Sequence, residues 1–162
     1  MGSQCIRRLK RLRSVSCSMV PNGDTLRAMS AENVETVRRG VDVFNKLGFD
    51  GLAASDLCTD DVEFHEPPEQ PAPRVAHGRE EFRRIAGEFD AAWAEHVSEP
   101  KEIRAVDQDR VLYESVEHFK GRDGIELQAP FVSLFTLEGD KIVRWQAFWD
   151  RDRALEAAGL SE

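Results

Sequence analysis

The stretch from Ile125 to Gly159 most constrains what this chain can fold into. Leu127 to Leu137 and Lys141 to Trp149 are two runs rich in apolar, β-branched and aromatic residues, the composition of strands. Glu138-Gly139-Asp140 lies between them and supplies a tight turn, because Gly139 is free to take a positive φ. The two runs predict a hairpin. Leu127, Ala129, Phe131, Ser133, Phe135 and Leu137 share one face of its first strand, and Val132 and Leu134 lie on the other. A hairpin with one wet face would alternate cleanly. This one calls for a cover on both sides, helices on one and a second subunit on the other. Asp150-Arg151-Asp152 then ends the apolar run, and Arg153 to Ala158 predicts a short helix stopped at Gly159.

Upstream, helices come first. Val34, Val37, Val41, Phe44 and Leu47 recur at three- and four-residue steps, which predicts an amphipathic helix over 31–47, capped by Ser30 and ended at Gly48. Gly51 to Leu57 predicts a second small helix. Val62 to Glu66 predicts a short strand stopped by Pro67-Pro68, and 69–77, with Pro71 and Pro73, predicts a loop. Phe82, Ile85, Phe89 and Trp93 form one stripe of a helix over 79–94. Glu99 to Asp107 and Arg110 to Lys120 predict two strands ahead of the hairpin. Helices followed by consecutive strands give an α+β layout. Its curved antiparallel sheet wraps around the N-terminal helices to enclose a conical cavity.

Charge divides the chain. Residues 1–28 hold six Arg or Lys against one Asp, and the remainder holds 16 against 29 acidic residues. The first part is expected to be a disordered basic extension of a 29–162 domain; an organellar leader, or a start assigned too far upstream, are the other readings. The acidic domain argues against nucleic acid and against anionic membrane surfaces. No stretch is long and apolar enough to span a bilayer. Cys5, Cys17 and Cys58 have neither paired nor metal-ligand spacing, so a reduced, cytoplasmic setting is the simpler reading.

Several stretches carry a family resemblance. Asp60-Asp61-Val62-Glu63-Phe64-His65-Glu66-Pro67 looks like the first strand of the ketosteroid isomerases. Gly78-Arg79-Glu80-Glu81-Phe82 looks like the Gly-Arg start of that fold's third helix. The run 141–149 looks like its last strand, and 150–160 like the terminal helix of SnoaL-like proteins. Together they cover residues 30–160, and the chain resembles the SnoaL-like branch of the nuclear-transport-factor-2-like superfamily. The resemblance implies a cone fold, a small apolar ligand, a homodimer packed through the outer sheet face (here Val132, Leu134 and Phe148) and no cofactor.

Candidate site residues follow. Val62, Phe64 and Glu66 share a strand face, and the apolar pair must point inward, so Glu66 follows them. In the isomerases a catalytic Asp holds this place, and a carboxylate at the mouth of an apolar cavity has its pKa raised by desolvation. The other reading is a strand-end Glu that reaches solvent. The isomerase Tyr and second acid fall at Val41 and Pro130, which donate no side-chain hydrogen bond. On the strand 110–120, alternation leaves both faces mixed. The family analogy turns Tyr113, Ser115, Glu117 and Phe119 inward, placing Glu117 and Tyr113 beside Glu66. Phe44, Phe64, Phe89, Trp93, Ser115, Trp145 and Trp149 are the candidate ligand-lining residues. His65, His77, His96 and His118 lack ligand spacing, so no metal site is expected. Two functions remain open: an isomerase-, cyclase- or hydrolase-like acid–base enzyme, or a non-catalytic ligand-binding or dimerisation domain of the same fold.

Overall fold

In a computed structural model, the structure describes residues 22–160. The basic run 1–21 lies outside the described residues, and with it most of the expected extension. Helix α1 spans Gly23–Ala54, with Asn22 as its N-cap accepting from the Thr25 N–H at 2.8 Å. It therefore begins seven residues before the expected Ser30 cap, and the anticipated boundary at 28/29 falls inside it. Asn22 competes successfully as a cap because its side chain meets a free N–H of the first turn. At Gly48 the backbone leaves helical geometry, with φ 69 and ψ −166. That left-handed φ suits a residue without a Cβ. Here the expected helix ends, and the second segment follows at once, to Ala54.

Strand β1 is Cys58–His65, β2 Val75–His77, and helix α2 Arg79–Asp90. The short β2 lies within the stretch read as a loop: it pairs antiparallel to β1, Glu63 opposite His77. Arg79 clamps the end of α1 by donating from Nη1 to the carbonyls of Ala53 and Ser55 at 2.8 and 2.9 Å. α2 stops four residues earlier than its apolar stripe suggested. Trp93 instead opens strand β3, Trp93–Ala105, opposite Gly121 of β4, Arg110–Gly121. The long ladder with β4 outweighs the helical spacing of Trp93, a residue that also favours strands.

The hairpin forms as read: β5 is Glu126–Glu138 and β6 is Lys141–Phe148, with Gly139 at φ 61 in the turn. Leu137 pairs with Ile142 but Thr136 with Arg144. A bulge at Val143 thus shifts the alternation, so that Ile142 and Trp145 both enter the core. The sheet order is β2-β1-β6-β5-β4-β3. The four-strand antiparallel meander is extended by β1, parallel to β6, and by β2 at the edge.

The main core lies between the helices and one sheet face, around Val37, Leu52, Phe82, Ile85 and Trp145. A second core lies on the opposite face. There α3, Arg151–Ala157, capped by Asp150 and followed by Gly159 at φ 73, lays Ala154 and Leu155 over Leu112, Val132, Leu134 and Phe148. This corrects the expected two-fold interface: Val132, Leu134 and Phe148 are covered by the chain's own terminal helix. The hairpin did need covers on both faces, and the chain supplies both. Among the described residues no helix is long and apolar enough to cross a membrane.

Candidate functional site

Between α1, α2 and the inner sheet face lies a cavity of about 80 Å3. Its walls are mostly apolar and rich in aromatic rings: Phe44 and Phe49 from α1, Phe89 from α2, Phe119 from β4, Phe131 from β5, and Trp149 beyond β6. Phe64 and Trp145 also line it. Apart from Ser133 of β5, the polar lining falls into two groups. Glu66 and Gln70 belong to the segment between β1 and β2; His96, Ser98, Tyr113 and Glu117 belong to β3 and β4. The two carboxylates come from the ends of the β1-β6-β5-β4 run of the sheet, and each is held by its own set of hydrogen-bond partners.

Glu66 is placed on the inner side, as the strand pattern implied, but its electrostatics are the reverse of the expectation. Arg74 donates from Nη2 to Glu66 Oε1 at 2.8 Å, from Nε to Oε2 at 3.0 Å, and from its backbone N–H to Oε2 at 2.9 Å. Its Nη1 holds Glu88 of α2 at 2.7 Å. The Arg74 hydrogen bonds outweigh burial and hold the Glu66 carboxyl below the usual carboxylate range. The sequence reading did not identify Arg74 as this partner, because the 69–77 stretch gave no fixed geometry.

The second group forms a continuous network in the wall. Tyr113, Ser115 and Glu117 sit on the inner face of β4, and each is under 6% exposed. Ser98 and Ser115 donate to Glu117 Oε1 at 2.6 and 2.5 Å. With its proton on Glu117, the Ser98 hydroxyl accepts from the Tyr113 hydroxyl at 2.7 Å. Glu117 Oε2 meets His96 Nε2 at 2.8 Å, and His96 Nδ1 meets Asp90 Oδ1 at 2.7 Å. The His96 ring packs against Phe119 with centroids 4.4 Å apart and edge-on to Phe44 at 4.9 Å. Asn45 of α1 fixes this part of β3 from both sides, donating to the Ser98 carbonyl at 2.9 Å and accepting from its N–H at 2.8 Å.

Burial sets the protonation of two members. It pushes the Tyr113 phenol up to about 12, helped by the nearby Glu117 charge, so Tyr113 is a neutral donor. Burial pulls His96 down, yet the hydrogen bonds and charges of Asp90 and Glu117 win, and its pKa is raised above the ordinary value.

Of the residues singled out in the sequence, Glu66, Glu117, Tyr113, Phe44, Phe64, Phe89, Trp145 and Trp149 line one cavity. Ser115 is not in the lining and instead donates to Glu117. Trp93 stands behind the wall, its ring 4.7 Å from that of Phe119. The alternation did not choose the inner face of β4; the family analogy did, in the orientation found. His96, Ser98, Asp90 and Asn45 were missed. His96 and Ser98 alternate toward Glu117, a signal hidden by starting β3 at Glu99. Among the described residues no three metal-ligating side chains converge.

A SnoaL-like domain model matches residues 37–145. Among curated proteins nothing matches. Solved structures share the fold. A nuclear-transport-factor-2-like protein of unknown function from Burkholderia pseudomallei is 19% identical, with a TM-score of 0.63 over 77% of this chain and 95% of that one. A candidate SnoaL-like polyketide cyclase from Jannaschia is 17% identical, with a TM-score of 0.63 over 80% and 92%. TerC, co-crystallised with polyporic acid, is 17% identical, with a TM-score of 0.63 over 79% and 98%.

Proposed function

The chain belongs to the SnoaL-like domain family, and from that premise we propose that it takes a small, flat, apolar molecule into its cavity and moves a proton on it with Glu117. One observation carries this reading: a carboxylate only 5% exposed, held by two hydroxyl donors and an imidazole, in the wall of a largely apolar cavity. In that setting Glu117 takes a proton from a carbon beside a ligand carbonyl. The C–H bond breaks, its electron pair forms the C=C of an enolate, and the Tyr113 O–H turns from Ser98 to meet the charge on the enolate oxygen. Return of the proton to another carbon completes an isomerisation; attack of the enolate on a second carbonyl forms a C–C bond and an alkoxide, and return of the proton from Glu117 to that oxygen completes a cyclisation. Glu66, fully engaged by Arg74, shapes the cavity wall near Pro67 and Gln70 and does not transfer the proton.

A binding-only role is the second reading. It is favoured by the closed circuit: both oxygens of Glu117 already have partners. Deuterium uptake by 2-tetralone, a flat bicyclic ketone, separates the two. The full chain in D2O should speed exchange at the carbons beside the carbonyl over buffer alone, and Glu117→Gln should lose at least about 100-fold of that acceleration. Tetralone bound in the cavity by NMR shift mapping but exchanging at the buffer rate would leave the binding-only role.

A further inference from the structure

His96 has two ring nitrogens, and each lies within 2.8 Å of a carboxylate oxygen. A neutral imidazole carries one N–H and one bare nitrogen. Between two ionised carboxylates, the bare nitrogen would face an acceptor. The geometry therefore has two solutions: the ring is doubly protonated, or one carboxyl carries the proton. The hydroxyls decide. Ser98 and Ser115 both donate to Glu117 Oε1, and two hydroxyl donors on one carboxyl oxygen favour the arrangement in which His96 donates to the other. Asp90 closes the other side. Its side chain is 28% exposed, against 8% for His96 and 6% for Glu117, so it is the member of the three that water reaches.

We propose that Asp90 is a positioning residue for the proton-transfer site: it holds Nδ1–H of His96 and aims Nε2–H at Glu117, so that Glu117 meets the ligand as a carboxylate. This rests on the reading of Glu117 as the proton-transfer group. Asp90 does not touch Glu117, and its effect passes through the ring. The titratable groups facing His96 are Asp90 from α2 and Glu117 from β4. α1 presents the rings of Phe44 and Phe49, α2 that of Phe89, and β4 that of Phe119. A cation in this aromatic box also gains from the ring faces. The raised His96 pKa agrees with the geometry. Its sign gives the window. The ion pairing stabilises the fold fully below the free-histidine value of about 6.5, and that contribution is lost as pH rises through the higher folded value.

Nitrogen and carboxyl NMR of the full chain test this without a ligand. In the wild type at neutral pH both His96 ring nitrogens should be protonated and Glu117 ionised. Asp90→Asn, which keeps the shape, should leave His96 neutral and raise the proton affinity of Glu117 at least about 10-fold. Asp90→Glu should restore both signals. A structural ion pair between Asp90 and His96 would leave the Glu117 titration where it is, and that result overturns the proposal. So does a singly protonated His96 in the wild type at neutral pH, a measurement that needs no variant to fold. A Glu117 shift in Asp90→Asn without tetralone exchange in the wild type would uphold the coupling and remove the reaction.

Discussion

Leu155→Ala tests whether the outer core is closed by the chain itself. Leu155 is 4% exposed and sits on Leu112, Val132, Leu134 and Phe148, which are all under 7% exposed. Removing three carbons at about 0.8 kcal/mol each costs about 2.4 kcal/mol in transfer alone. The hole left behind adds to this, and buried Leu→Ala changes run to about 5 kcal/mol. α3 is one short helix of seven residues on the surface, and it can settle partly into the gap. The expected loss is therefore near the low end, about 3 kcal/mol. In a chain of this size that lowers Tm by about 6–12 °C. Urea unfolding of the full chain should show a lower midpoint at unchanged slope. Glu156→Ala, exposed on the same helix, should stay within about 0.5 kcal/mol of wild type. A loss below about 1 kcal/mol for Leu155→Ala would refute the docking of α3 and reopen the outer face to a second subunit.

Two further outcomes follow from the charges. Tyr113 is the only tyrosine, so tyrosinate absorbance reads it alone: it should ionise at about 12, with folding stability falling as pH rises toward that value, whereas a midpoint near the ordinary value of about 10 would put the hydroxyl in water. Arg74→Ala should release Glu66: the stability that the lowered Glu66 pKa supplies above about pH 4.3 disappears as pH falls through the folded value, so the variant's urea midpoint should decline less on acidification than the wild type's. An identical acid limb in both proteins would show that the pair does not couple to folding.

The sequence made the apolar architecture legible, and the polar connections much less so. The doubly apolar β5 announced two cores, because a strand face of Val132 and Leu134 cannot stay wet. It could not say what covers that face. The seven residues of α3 have modest intrinsic helix stability, and only packing decides where they dock. Tyr113 and Glu117 were readable as neighbours on one β4 face, since alternation has a fixed period. His96 was not, because its place depends on where α2 ends. There the helical stripe through Phe89 and Trp93 competed with the β3–β4 ladder, and the ladder won. Arg74 was beyond reach for a different reason: the β1–β2 connection has no period, so nothing in it aims a guanidinium at Glu66.

The contrast between the two carboxylates also bears on why the β3–β4 network exists. Glu66 has a partner of opposite charge whose side chain is 43% exposed, so its charge is kept at modest desolvation cost. Glu117 has no exposed partner of opposite charge: it is met by Ser98, Ser115 and a His96 ring that is itself buried. Burying an ionic cluster rarely adds stability over apolar residues of the same volume, while losing one member costs about 3–5 kcal/mol. The wall around it offers such an alternative, with Phe44, Phe89 and Phe119 already packed there. A fold selected for stability alone would gain from continuing that wall through positions 96 and 117. Instead the chain commits Asn45 to fix the Ser98 backbone, two hydroxyls to one oxygen of Glu117, and Asp90 to the far side of His96. So many neighbours aimed at one carboxylate, in the wall of a cavity, are hard to account for by packing. They are what the proposed proton-transfer role of that carboxylate would require.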